Sequence, residues 1–120
     1  MKQVDREAII KMELMQLEIA QESNQREIRK LDEAEYEYNR IQNLERHFYQ
    51  ELLQANQGAE KQHLFANLEA ESRYLQQKQQ QRLQERQAEL LAQKKALITQ
   101  EDQLYMERRK LLDPEVGADQ

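Results

Sequence analysis

The fold of this chain is set by four consecutive seven-residue units at residues 83–111, which read LQERQAE LLAQKKA LITQEDQ LYMERRK L. A leucine stands at the start of every unit and after the last one, at Leu83, Leu90, Leu97, Leu104 and Leu111. An apolar residue at every seventh position is typical of a coiled coil, because seven residues make almost two turns of an α-helix. The repeat therefore predicts a long helix that packs against another helix along one line.

The first half of the chain carries a related pattern. Between residues 10 and 38 it advances in alternating steps of four and three, through Ile10, Leu14, Leu17, Gln21, Asn24, Ile28, Leu31, Glu35 and Tyr38. After Tyr38 we expect the pattern to shift its phase, because the next apolar residues are Ile41, Leu44, Phe48, Leu52 and Ala55. Both halves of the chain therefore predict helices with coiled-coil spacing.

The composition agrees with an all-α chain. The 120 residues carry a net charge of −5, only 38% of them are hydrophobic, and they include one Pro and two Gly. Three such residues are too few for the turns of a sheet or of a compact α/β fold, and the apolar content is too low for a large core. The polar residues are mostly Gln, Glu, Arg and Lys, which favour helix over disorder.

One glycine marks the place where the chain turns. Between residues 4 and 112 there is no Pro, and Gly58 is the only Gly. Gly58 follows Asn56 closely and suits the left-handed conformation that ends a helix. We therefore predict a long antiparallel two-helix hairpin, coiled-coil-like, as a single domain over residues 1–112. Its parts are a first helix at about 4–55, a turn at 56–60, a second helix at about 61–112, and a disordered acidic tail at 113–120.

Charge patterning indicates how the two helices align. If the chain folds back beside Gly58, facing residues have numbers that add up to about 115. In this register acidic clusters face basic ones, and opposite charges beside the apolar line favour one orientation. The expected pairs include Arg26 and Lys30 with Glu89 and Glu85, Arg46 with Glu69, and Phe48 with Leu68.

A surplus of apolar residues predicts a partner. The second helix carries adjacent apolar pairs, namely Leu90-Leu91, Leu97-Ile98, Leu104-Tyr105 and Leu111-Leu112. If one member of each pair fills the contact between the helices, the other lies on a neighbouring face, as in a helix packed on two sides. At least one more helix is then expected to pack here, and self-association into a four-helix homodimer stays open as the alternative. The expected partner-binding residues are Ile10, Met15, Tyr49, Leu91, Ile98, Tyr105 and Leu112.

Other classes of site find little support. The chain has no Cys, and His47 and His63 near the turn supply too few ligands for a metal. No Gly-rich phosphate loop or nucleophile arrangement is present, so no catalytic residue, enzyme activity or cofactor is expected. The basic clusters face acidic ones, which argues against nucleic acid, and no apolar run could span a membrane. Because residues 1–5 do not read as the start of a signal peptide, the protein is expected to be cytoplasmic when made.

Two segments carry a family resemblance. They are Phe48-Tyr49-Gln50-Glu51-Leu52-Leu53 leading into Gly58, and Asp102-Gln103-Leu104-Tyr105-Met106-Glu107-Arg108-Arg109-Lys110-Leu111 at the end of the second helix. In these segments and in its layout the chain resembles the small helical partners of LXG toxins in type VII (Esx) secretion, which are WXG100-like hairpins. The resemblance implies a targeting factor that packs beside the N-terminal helices of an LXG toxin, together with a second small helical partner, and that can leave the cell with the toxin.

A second likeness leads to a different expectation. Hairpin stalk proteins of flagellar and type III export are also charged antiparallel coiled coils of similar length. That likeness implies binding to a ring-shaped ATPase through the ends of the hairpin. A homodimeric coiled-coil scaffold is the third reading that the residues allow.

Overall fold

The protein consists of two long α-helices. The computed structural model describes residues 2–56, 58 and 60–113, with side chains from residue 4 onward. Helix α1 comprises Lys2–Ala55 and helix α2 comprises Gln62–Leu112. The predicted bounds differ from these only where each helix begins, and residues 114–120 of the expected tail lie outside the described part. Neither helix, over its described residues, is long and apolar enough to cross a membrane.

The helices form an antiparallel hairpin, as predicted. Arg6 bonds to Glu107 and Asn24 bonds to Leu90, so the partner on α2 moves backward as α1 advances. The same order holds for Tyr38, whose hydroxyl donates to the Gln76 carbonyl oxygen at 2.8 Å. The numbers of the paired residues add up to 114 both for Asn24 with Leu90 and for Tyr38 with Gln76. This register lies within one residue of the expected one.

The contacts divide the hairpin into two units. The first contains α1 up to Ile28 and α2 from Glu89 onward, and the second contains Arg29–Ala88 with the turn. The line along which α1 and α2 contact each other in either unit is called the seam here.

The seam of the first unit is apolar and well packed. Ile10 is fully buried, Leu90 is 2% exposed and Leu17 is 9% exposed. Burying such side chains contributes about 1.5–3 kcal/mol each. Asn24 is also buried, and its Nδ2 donates to the Leu90 carbonyl oxygen and to Gln93 Oε1, both at 3.0 Å. A single satisfied Asn in an apolar seam fixes the alignment of two helices, because other alignments leave its amide unpaired.

An ion pair stands beside this seam near the start of α1. Arg6 Nε lies 2.6 Å from Glu107 Oε1, and Arg6 Nη2 lies 2.9 Å from Glu107 Oε2. The two parallel hydrogen bonds lower the pKa of Glu107 from its ordinary value of 4.5 and raise that of Arg6.

We expect Glu107→Gln to remove part of the acid sensitivity of folding. Because the folded carboxylate has the lower pKa, its contribution to stability is fully present above pH 4.5 and is lost as the pH falls through the folded value. The thermal midpoints of wild type and Glu107→Gln should therefore differ at neutral pH and converge in acid. A midpoint difference that stays constant from pH 7 to pH 3 would contradict this role. Both side chains are well exposed, so high salt should shrink the difference.

The seam of the second unit mixes polar and apolar residues. The α1 pattern continues without a phase shift, so the half-buried positions after Tyr38 are Gln42, Tyr49, Leu52, Leu53 and Asn56. On α2 the half-buried positions before Leu83 are Gln62, Phe65, Glu69, Ser72 and Gln76. Glu45 Oε2 accepts hydrogen bonds from Ser72 Oγ at 3.1 Å and from Gln76 Nε2 at 2.9 Å. None of the described residues of this unit is fully buried.

The expected ion pairs of the second unit are replaced in part by contacts within one helix. Glu69, expected opposite Arg46, pairs with Arg73 one turn further along α2. Glu37 pairs with Arg40 on α1 at 3.5 Å, and Lys78 Nζ lies 4.7 Å from the centre of the Tyr74 ring. Pairs three or four residues apart form more readily because the helix already holds both side chains close together.

The turn has the conformation expected from its glycine. Gly58 has a φ of +80°, and its N–H donates to Gln62 Oε1 at 3.3 Å. Asn56 follows α1 directly, and its backbone N–H donates the i to i−4 bond to the Leu52 carbonyl oxygen at 3.0 Å. Its Nδ2 donates a second hydrogen bond to the same oxygen at 2.8 Å, so the side chain caps the end of the helix.

We expect Gly58→Ala to lower the free energy of unfolding by about 1 kcal/mol, because a side chain disfavours a positive φ. A Cβ atom there would meet nothing within 4 Å, so the cost is conformational and not steric. Urea unfolding followed by circular dichroism measures the change. Gly58→Asn is the matched control and should cost less, since Asn tolerates this conformation better. Equal loss in both variants would point to a different cause.

Candidate partner-binding surface

A regular apolar stripe lies exposed on α2 in the first unit. The seam takes Leu90, Leu97, Leu104 and Leu111, and each next residue points about 100° further round the helix. These next residues are 43–57% exposed, and we call them the α2 stripe: Leu91, Ile98, Tyr105 and Leu112. Their spacing of seven keeps them along one side of the helix, which is the spacing of a helix-packing surface.

Helix α1 adds one apolar residue, Met15, on the same side of the first unit. Residues that follow a seam residue lie on the same side on both helices, because the helices are right-handed and run in opposite directions. Met15 follows the seam residue Leu14 and is 65% exposed. Met15 and the α2 stripe therefore flank one side of this unit. The other side has a groove of about 500 Å³ lined by Glu13, Gln16, Gln100, Gln103 and Glu107 together with seam residues, and it also carries Ile9.

Two of the seven expected partner-binding residues do not belong to this surface. Ile10 is fully buried in the seam, since its side chain packs between α1 and α2. It stabilises the hairpin and leaves no area for a partner. Tyr49 lies in the second unit at a half-buried seam position, with its ring 5.6 Å from that of Phe48. The structure thus brings together Met15, Leu91, Ile98, Tyr105 and Leu112.

Sequence reasoning missed a second apolar surface, in the second unit. On α1 its members are Ile41 and Phe48, which precede the seam residues Gln42 and Tyr49, and Leu44, which lies between them about one turn from each. On α2 they are Leu68 and Leu75, which also precede seam residues and so lie on the same side. We call these five exposed residues the second-unit face.

The grooves of the second unit confirm this sidedness. A groove of about 360 Å³ runs on the side of Leu68 and Leu75. A second groove, of about 370 Å³, is lined on the opposite side by Arg46, Arg73 and Gln77. The side of Leu68 and Leu75 therefore carries exposed leucines among polar residues such as Glu71 and Gln79, whereas the opposite groove is lined mainly by polar residues.

The second-unit face was missed because the sequence analysis assumed a phase shift in the α1 pattern after Tyr38. After Tyr38 the seam was expected to follow the next apolar residues, and this put Ile41, Leu44 and Phe48 into the seam, although they are 49%, 62% and 57% exposed. Extending the strict alternation of four and three from Tyr38 would have put Gln42 and Tyr49 there and left the apolar residues outside. The spacing therefore predicted the correct seam positions, but several of those positions hold polar residues, whereas the neighbouring positions are apolar.

The described residues do not form a metal site. No group of three or more His, Asp and Glu side chains among them is placed to hold an ion. What the geometry offers is a pair of helical surfaces suited to packing against other helices.

Comparison with known protein families gives a match that covers both helices. A family model described as "Protein of unknown function (DUF3958)" matches residues 5–111, which cover both helices. No curated protein matches the chain significantly, and no solved structure does.

Proposed function

We propose that this chain, which belongs to the DUF3958 family over residues 5–111, is a non-enzymatic binding protein. In this proposal the hairpin packs its α2 stripe side by side against the helices of a larger protein. The hairpin itself is the scaffold that holds the stripe straight.

The exposed α2 stripe is the observation that carries this proposal. Four large apolar side chains at exact seven-residue spacing are about half exposed, although the adjacent leucines already complete the hairpin seam. An elongated apolar patch of this kind marks interaction surfaces. Its heptad spacing is matched best by another helix, because a second helix can cover a straight line of side chains along its whole length.

The finer part of the proposal names the partner class. The resemblance to the small helical partners of LXG toxins suggests that the larger protein is such a toxin, bound at its N-terminal helical domain. The hairpin then targets the toxin for type VII secretion, with a second small helical partner in the same complex. The two-helix architecture and the surplus stripe support this assignment, since both suit side-by-side packing with long helices.

Co-expression tests the proposal directly. The hairpin is produced together with the N-terminal domain of an LXG toxin from the same host, and the product is analysed by gel filtration with light scattering. We expect one species whose mass equals a stoichiometric complex, and deletion of the hairpin should reduce toxin export. Separate elution of the two proteins, at concentrations well above micromolar, would contradict the toxin assignment.

The second-unit face favours one alternative function. It lies in the unit that contains the turn, and a stalk-like protein of flagellar or type III export would use such an end of the hairpin to bind an ATPase ring. In that case Phe48→Asp should abolish ATPase binding, while Ile98→Asp should leave it unchanged. The toxin-partner proposal predicts the reverse dependence for toxin binding. A homodimeric scaffold is the remaining outcome and would appear as a dimer without any partner.

A further inference from the structure

We propose that the α2 stripe selects a partner helix whose charges run acidic, basic, acidic along it, and that the same charges keep the stripe from pairing with a second copy of this chain. The inference rests on the proposed function and adds the chemistry of the partner helix to it. It concerns the charged residues between the apolar members of the stripe.

In each interval of the stripe, the two residues that flank the stripe most closely carry charges of one sign. They lie three and four residues after an apolar member, so one stands on either side of the stripe. The charged residues are Lys94 and Lys95 in the first interval, Glu101 and Asp102 in the second, and Arg108 and Arg109 in the third. Glu101 and Arg108 are half-buried and the other four are exposed. In the described part of the chain no hydrogen-bond acceptor reaches the buried Nε of Arg108.

Full antiparallel pairing of two copies brings like charges together. To cover all four apolar residues, Leu91 must face Leu112 and Ile98 must face Tyr105. The first-interval lysines then face the third-interval arginines, and the central acidic residues of the two copies face each other. Parallel pairing is no better, since every charge then faces its own copy. Like charges across a helix contact disfavour pairing and are a known means of rejecting wrong partners.

Shifting the two antiparallel copies by seven residues removes the repulsion but leaves part of the stripe uncovered. Lys94 then faces Asp102, whereas Leu112 faces Gln84 and loses its apolar contact. A second copy can therefore satisfy the charges or cover all four apolar residues, but not both. A different helix with apolar residues at seven-residue spacing and the charge order acidic, basic, acidic satisfies both. Because this order reads the same in both directions, it selects the partner without fixing its orientation.

Two synthetic peptides of four heptads test the selection on the full-length protein. Both carry leucine at every seventh position, and they differ in the charges of the three intervals, which run Glu, Lys, Glu in one and Lys, Glu, Lys in the other. Outward positions are adjusted so that the two net charges are equal. Titration calorimetry should show the first peptide binding roughly tenfold tighter, with a smaller ratio at high salt.

A charge reversal at the centre of the stripe is the matched variant. Glu101→Lys combined with Asp102→Lys should weaken binding of the first peptide, and a peptide with glutamate in its central interval should restore it. Equal binding of both original peptides, or binding of neither up to millimolar concentration, would overturn the inference. If both bind equally and Ile98→Asp abolishes both, the proposed function stands and only the charge selection fails.

The rejection of a second copy has its own measurement. Lys94→Glu with Lys95→Glu places acidic residues opposite the arginines in full antiparallel pairing. In sedimentation equilibrium we expect this variant to dimerise roughly tenfold more tightly than wild type. Lys61→Glu with Lys78→Glu changes the net charge equally, outside the stripe, and should not dimerise more tightly. A tight wild-type dimer that Ile98→Asp disrupts would overturn this part of the inference.

Discussion

Replacing Ile98 and Tyr105 together by aspartate will abolish binding of the larger helical partner and leave the hairpin helical. The two residues are 43% and 46% exposed, so the hairpin loses little packing when they change. In a complex each would contribute about 1.5–3 kcal/mol of apolar burial, and each new carboxylate would lose water at the contact. The partner should therefore bind at least about a hundredfold more weakly. Calorimetry measures the affinity, and circular dichroism measures the helix content.

The matched control changes the same residue types elsewhere. Ile41 and Tyr36 lie in the second unit and are 49% and 70% exposed, so Ile41→Asp with Tyr36→Asp repeats the chemistry outside the α2 stripe. This control should retain partner binding. Equal loss of binding in both double variants would show that the stripe is not the specific contact. A collapse of helix content in the Ile98 and Tyr105 variant would mean that these side chains hold the hairpin itself together.

Replacing Ile10 by alanine will lower the free energy of unfolding by about 2–5 kcal/mol, because the substitution leaves a cavity in a packed seam. Ile10 is the one large side chain that is completely buried among the described residues. Ile19→Ala is its matched control, since Ile19 is on the same helix and is 66% exposed. The control should change stability by less than about 0.5 kcal/mol. Urea unfolding of both variants followed by circular dichroism gives the comparison.

This pair of variants separates two roles for Ile10. A seam residue affects stability and, through it, any binding, whereas a partner-contact residue affects binding alone. If Ile10→Ala unfolds like wild type but binds its partner more weakly, the seam assignment is wrong. If Ile19→Ala is as destabilising as Ile10→Ala, α1 packs against α2 through a different side from the one described.

Most of the first unit could be predicted from the sequence, because hydrophobicity and heptad spacing agree there. Leu90 and Leu97 repeat strictly, and α1 supplies Ile10 and Leu17 at the matching steps. The adjacent apolar residues then had to lie outside the seam, so the α2 stripe followed from the same spacing. Ile10 was wrongly expected to bind a partner as well, although the same spacing places it in the seam, where it is fully buried.

The second unit could not be predicted in the same way, because there the two signals disagree. Apolarity favoured Phe48 in the seam, while strict spacing favoured Tyr49. In the structure Gln42 and Tyr49 lie half-buried in the seam and Phe48 is exposed, while Glu45 on α1 accepts hydrogen bonds from Ser72 and Gln76 on α2. No rule based on one helix reveals such a set of bonds, since its donors and its acceptor come from different helices.

The sequence by itself determined the two helices, the turn and the approximate register of this protein. These depend on local properties, namely the scarcity of Pro and Gly, the positive φ of Gly58, and a repeat that is close to the period of the helix. Only the tertiary structure decided which side of each helix is covered in the second unit. A rotation of one position turns every seam residue about 100° away from the other helix, so packing across both helices must choose where hydrophobicity and spacing disagree. That choice leaves Ile41, Leu44 and Phe48 exposed beside the seam.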